Sequence, residues 1–255
     1  MTEELYKEDC YLKKFDAEVD KIGKGYVILD RSSFYPQEGG QPTDQGKLLL
    51  DNEEVDVQEV RKEKGEIRHY LSSTDGITKG DKVKGVLDWN RRYKFMKLHT
   101  GQHLVSAVVL DMYKADTVDS KIHSDYAEVV FRPVSFSEED LEKIENRCNS
   151  LVKEDRGIEV VDMPRDEVEE RMEPGRAQLD KIPSSIDPLR VIKIEGLDLC
   201  PCGGTHLRDI EEIGGIKVFE KESLSDEREK VKFRTRYTPV QGTIGESREE
   251  EFSGQ

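Results

Sequence analysis

The stretch WNRRYKFMKLHTGQHLVSAVVLDMY, residues 89–113, divides the chain into two kinds of sequence. It contains no proline and one glycine, and its apolar residues recur every three or four positions, the spacing of one helical face. That spacing predicts a helix from about Asn90 to Met112. Upstream the rhythm is different. YLKKFDAEV and YVILD flank the turn DKIGKG, and KLLL, VDVQEV, IRHYL and DKVKGVLD follow, each bounded by Gly, Asn, Asp or Ser. Short strands at this spacing with no helix between them predict a small antiparallel barrel or sandwich.

Downstream, AEVVF reads as a buried strand. Ser135-Phe-Ser-Glu138 has the form of a capping box, and Leu141, Ile144, Cys148, Leu151 and Val152 then make one apolar stripe, which places the Cys148 thiol in the core. GIEVVDM, RVIKIEGLDL, GGIKVFE and KVKFRTRY read as strands, while the charged segment 165–180 has no clear period. The predicted class is α+β: an N-terminal antiparallel β-barrel domain over 1–88, a helix pair on a sheet over 89–240, and an acidic, disordered tail over 241–255.

The totals set limits on what the protein can be. Its 255 residues suffice for one large or two modest cores, and 37% charged residues mark a strongly solvated surface. No apolar run approaches the roughly 18–20 residues of a membrane span, so no membrane partner is expected. The start MTEELYKEDCY lacks the apolar core of a signal peptide, which points to the cytoplasm. The four cysteines form no spaced framework and are expected as thiols. A formal charge of −15 argues against a general nucleic-acid coat, leaving room only for a local basic site on an acidic body.

His99 and His103 lie four residues apart on the predicted helix, one turn apart on one face, where two imidazoles can share an ion. Alone, such a pair is as compatible with a packed or solvated surface. His69, in a strand pattern, and His123, in a polar turn, are expected to be structural. His206 closes LCPCGGTH, residues 199–206. A cysteine and a histidine separated by three residues can chelate one ion if the backbone curls, and glycine permits the curl by accepting positive φ. The spacing favours Cys202 as the partner of His206 and leaves Cys200 as a packed thiol. Thiolate with imidazoles points to zinc rather than calcium or magnesium. FYPQEGGQPTDQG, residues 34–46, would on its own be an ordinary turn.

Taken together, HTGQHL, CGGTH about 100 residues later and YPQEGGQP upstream resemble the editing domain of alanyl-tRNA synthetase and its free-standing relatives, the AlaX-type trans-editing proteins. The resemblance runs over most of residues 10–237 and implies a second domain of the threonyl/alanyl-tRNA synthetase second-additional-domain type. It implies one zinc ion per chain held by His99, His103, Cys202 and His206, and the long form's glycine motif at Gly39 and Gly40 beside Gln41. It also implies a deacylase acting on alanine tRNA mischarged with serine or glycine. Gln102 and Thr205, with Gly39, Gly40 and Gln41, are the residues expected to meet the substrate. Many editing domains carry threonine where this chain has Gln102, so the position stays polar with a different group. Arg91 and Arg92 at the helix start, and Lys232, Arg234 and Arg236 recurring every second residue in the last strand, are expected to contact RNA phosphates. Two other readings compete: a non-catalytic RNA-binding module with a structural zinc, favoured by the four-ligand count, and a zinc hydrolase of another small ester.

Overall fold

The computed structural model describes residues 2–50, 53–224 and 227–236. The expected acidic tail, 241–255, lies outside these residues. Six strands form a closed antiparallel barrel: β1 (Lys14–Gly23), β2 (Tyr26–Leu29), β3 (Gly46–Leu49), β4 (Glu54–Glu63), β5 (Glu66–Leu71) and β6 (Lys82–Leu87). Their order around it is β1-β2-β5-β4-β3-β6, with β6 paired back onto β1. Strict alternation in β1 and β6 sends Phe15, Ala17, Val19, Val83 and Leu87 inward, where they meet Phe34, Leu48, Val57 and Ile67. Closure leaves the barrel no free strand edge.

One residue after the barrel closes, Asp88 caps α1 (Trp89–Tyr113) by accepting a hydrogen bond from Arg91 N. This helix is buried around almost its whole circumference from Phe95 to Leu110. Such burial requires neighbours on every side, and the chain supplies them. Strands β7 (Asp116–Ile122), β8 (Ala127–Arg132), β12 (Ile216–Ser223) and β13 (Glu229–Thr235) form a sheet in the order β12-β13-β8-β7. Gly101 lets α1 approach that sheet, since a Cβ there would lie 3.0 Å from the Phe233 ring. Helix α2 (Glu138–Leu151) packs Leu141, Ile144, Cys148 and Leu151 into the same core. Its capping box is Ser137 with Asp140, two residues beyond the predicted pair, because three consecutive acids follow and only Asp140 stands at the third helical position of the true start.

A second, three-stranded sheet is formed by β9 (Ile158–Met163), β10 (Leu189–Ile194) and β11 (Asp198–Pro201). RVIKIEGLDL is thus a hairpin, not a single strand. The segment that periodicity left unassigned holds a short helix, α3 (Arg165–Arg171), whose Val168 is buried with Met163, Leu189 and Val191. The α+β architecture, a closed barrel followed by helices packed on sheet, is as the sequence predicts. It sets the Gly101 face of α1 against β13 and turns His99 and His103 toward β11 and the loop that follows it.

Candidate metal centre

His99 and His103 occupy successive turns of α1, with ring centroids 5.4 Å apart, and both are buried. The loop after β11 brings Cys202 and His206 against them. Cys202 Sγ lies 3.4 Å from His99 Nε2 and 3.3 Å from His206 Nε2, and the four donor atoms all fall within 4.8 Å of one another. An ion bound tetrahedrally at about 2.3 Å from sulfur and 2.1 Å from nitrogen separates S and N by about 3.5 Å. The two Cys202–histidine separations match that value, and a small contraction of the widest donor pairs lets the cluster hold a single metal ion.

Each imidazole is aimed by a partner on its other nitrogen. His103 Nδ1 donates to Asp198 Oδ2 at 2.9 Å, and His99 Nδ1 donates to Gln41 Oε1 at 2.8 Å. The Gln41 amide orientation is fixed independently: Oε1 also accepts from Thr205 N at 3.0 Å, and Nε2 donates to Thr205 Oγ1 at 2.8 Å. His206 Nδ1 pairs with Thr100 Oγ1 at 3.2 Å, and the same oxygen accepts from Leu207 N. With every Nδ1 engaged, all three Nε2 atoms converge on Cys202. Such outward bonds set the tautomer and orientation of metal-binding histidines.

The electrostatics match. Burial favours the neutral thiol of Cys202, but the surrounding His99, His206 and His103 outweigh it and hold the thiol well below its ordinary pKa. Burial pushes His206 down to about 3, leaving it neutral with a lone pair to share. Cys200 goes the other way: burial drives its thiol up to about 12, and its Sγ lies 3.6 Å from Pro201 O, outside the cluster.

The glycine pair works differently from the expectation. Neither Gly203 nor Gly204 has positive φ. Gly204 is needed for lack of room, because a Cβ there would lie 2.1 Å from His99 Cε1. Gly203 has nothing within 4 Å. Upstream, the turn at Gly39 and Gly40 does adopt positive φ, +58° and +80°. A Cβ on Gly40 would meet Ser120 O at 2.9 Å, and Gly40 O accepts from Ile122 N at 3.0 Å. The turn thereby docks on β7 and delivers Gln41 to His99. Gln41 and Thr205 are fully buried and spend their polar atoms on each other and on His99. Gln102, one residue before His103, is buried and donates to Ser106 Oγ at 2.9 Å.

The basic residues divide. Arg92 cannot serve as an RNA contact: it is fully buried, ion-paired with Asp44, and donates to Cys10 O and Ser33 O. The helix start that looked like a basic patch instead plugs α1 onto the barrel. Arg91 is half-buried, with Nε donating to Thr43 O at 2.9 Å. Arg234 and Arg236 are exposed, while Lys232 pairs with Glu220 at 2.7 Å across the sheet. His69 is a buried structural residue, 2.7 Å from Ser32 Oγ. His123 stacks on Tyr126.

Sequence reasoning missed several residues at the centre: Asp198 and Thr100, which hold ligands, and Arg190, whose Nη1 donates to Cys202 O at 2.6 Å. A carboxylate in the apolar strand LDLC was the one available hint.

A closed barrel is followed by a second region that buries three histidines and one cysteine placed to hold a metal ion. The family described as threonyl and alanyl tRNA synthetase second additional domain matches residues 189–232, and that described as tRNA synthetases class II (A) matches residues 7–91. Alanyl-tRNA editing protein AlaX-M of Methanosarcina mazei is 37% identical over 226 residues, covering 86% of this chain and 90% of that one. The AlaX-M protein of Saccharolobus solfataricus is 34% identical, with 91% and 98% covered. The alanine–tRNA ligase of Pyrococcus furiosus is also 34% identical, but only 26% of its length is spanned. The chain belongs to the alanyl-tRNA editing protein family, AlaX.

Proposed function

We propose that this protein is a zinc-dependent trans-editing hydrolase that removes serine or glycine from mischarged alanine tRNA in the cytoplasm. One observation carries the proposal: three Nε2 atoms and a depressed cysteine thiol converge within 4.8 Å in a chain of the AlaX family. Zinc suits a thiolate with imidazoles, and when bound it supplies Lewis-acid activation for cleavage of an aminoacyl ester at neutral pH. Among the four donors Cys202 is the least buried, and its neighbour Gly203 is exposed, so the ester reaches the centre from this side. Asp198 does not serve as a general base, since both its oxygens are occupied by Arg176 and one also by His103. Gln102 is the polar group proposed to read the substrate side chain. Gln41 and Thr205 are assigned to holding His99.

Editing answers a limit of the synthetase's own pocket: a site for a small apolar side chain rejects near-isosteres weakly. A second site that hydrogen-bonds the serine hydroxyl can spare alanine, which lacks it, by as much as about 10⁴–10⁵, and the same contact makes glycine the poorer of the two substrates. Arg234 and Arg236, with Lys232 released from Glu220, are the proposed phosphate contacts. Hydrolysis of serine-charged alanine tRNA, with His103→Ala and Cys202→Ala as controls, tests the proposal.

The second reading, a non-catalytic RNA-binding module with structural zinc, is favoured by the count of four protein donors. It predicts RNA binding without turnover in the same assay.

A further inference from the structure

Asp198 is held from behind. Arg176 Nε donates to Asp198 Oδ1 at 2.5 Å and Nη2 donates to Oδ2 at 2.8 Å, a two-pronged pair in which both side chains are almost wholly buried. The same Oδ2 accepts from His103 Nδ1. A planar guanidinium engaging both oxygens fixes the plane of the carboxylate. That plane in turn sets the direction in which Oδ2 meets the imidazole, and hence where His103 Nε2 points.

The arginine is itself anchored. It ends a turn in which Arg176 N donates to Glu173 O at 3.1 Å and Gly175 has φ +86°. Gly175 O accepts from Thr117 N at 3.1 Å, and a Cβ at Gly175 would lie 2.0 Å from Asp116 Oδ1. The turn is thus seated on the first residues of β7, with no space between. A buried ion pair is a poor source of stability, because the desolvation of both charges offsets their attraction. Its directional effect on the ligand is the better account of why the fold retains it.

We propose that Arg176 is a positioning residue for the metal centre, acting through Asp198 to fix the His103 ligand and so to set metal affinity. The inference rests on the proposed zinc reading of the cluster, and the charged segment that supplies Arg176 becomes part of the site.

The test compares zinc affinity by chelator competition in the full chain, in Arg176→Lys and in Arg92→Lys. The last weakens the other buried arginine fork, Arg92–Asp44, which touches no donor of the cluster. Lysine keeps the charge and loses the fork. Arg176→Lys is expected to bind zinc about 10–100-fold more weakly, the usual effect of disturbing a partner behind a metal ligand. Arg92→Lys is expected to lower the unfolding temperature and leave zinc affinity unchanged. The visible spectrum of the cobalt-loaded protein should change in Arg176→Lys alone. Should Arg176→Lys not fold, Asp198→Asn is expected to show the same loss of affinity. Wild-type affinity in these variants, or an equal loss in Arg92→Lys, overturns the proposal. A wild-type chain that takes up no zinc overturns the metal reading first and this inference with it.

Discussion

Replacing Gly204 by alanine should dismantle the metal centre, whereas the same change at Gly203 should leave it intact. The new Cβ at 204 would lie 2.1 Å from His99 Cε1, 2.4 Å from its Nδ1 and 3.0 Å from Gln41 Oε1, against the 3.4 Å at which ordinary contact begins. Relief requires the His99 ring to withdraw by about 1.3 Å, while metal–ligand bonds tolerate only about 0.2 Å. The retreat also pulls Nδ1 from Gln41. Losing one ligand and its support together should weaken zinc binding at least about 100-fold, or about 2.8 kcal/mol. Overpacking adds about 1–3 kcal/mol of destabilisation to the metal-free fold. At Gly203 nothing lies within 4 Å and φ is not positive, so alanine there should change affinity by no more than about twofold. Chelator-competition titration of zinc, with thermal unfolding of the metal-free proteins, measures both effects. If Gly204→Ala binds zinc like wild type, or the two variants lose affinity equally, the steric account of the glycine pair is wrong.

Arg92→Ala strands the Asp44 carboxylate in the barrel–helix junction and should cost about 3–5 kcal/mol in urea unfolding, with unchanged salt dependence of RNA binding. An unaltered unfolding midpoint would contradict the burial assigned to that pair. Burial lowers His69 from 6.5 to about 4, so its neutral form stabilises the fold above pH 6.5, and that contribution is lost as pH falls toward 4. The loss amounts to about 3 kcal/mol and should be missing from His69→Gln when unfolding is compared at pH 7 and pH 4. A variant with the wild-type acid slope would refute it. Replacing Lys232, Arg234 and Arg236 together by alanine should flatten the plot of log affinity for tRNA against log salt by about 0.7–0.9 for each phosphate no longer neutralised. An unchanged slope places the RNA elsewhere.

What the sequence revealed follows from how local the cause is. The helix at 89–113 was readable from its length without proline and its one glycine, although burial on nearly all sides leaves it no single apolar face, and with it came the one-turn spacing of His99 and His103. The barrel strands were readable from alternation. Cys202 was preferred over Cys200 on spacing, and the structure brings Cys202 to the cluster and leaves Cys200 buried apart from it. Local patterns could not show bonds between distant positions: Gln41 with Thr205, Asp198 with His103, or Arg176 with Asp198. Arg92 misled for the same reason, since its partner Asp44 lies 48 residues away and an unpaired arginine near a helix start reads as surface charge. Glycine's two uses, freedom of φ and absence of Cβ, are indistinguishable in sequence. Only the position of the His99 ring shows that Gly204 serves the second.

The most direct test of the proposed activity is hydrolysis of serine-charged alanine tRNA by the same preparation in three states: as isolated, stripped by chelator, and restored with one equivalent of zinc. The geometry of His99, His103, Cys202 and His206 predicts that turnover disappears on stripping and returns on restoration. Equal hydrolysis by the stripped protein, or none in any state while tRNA still binds, would contradict it.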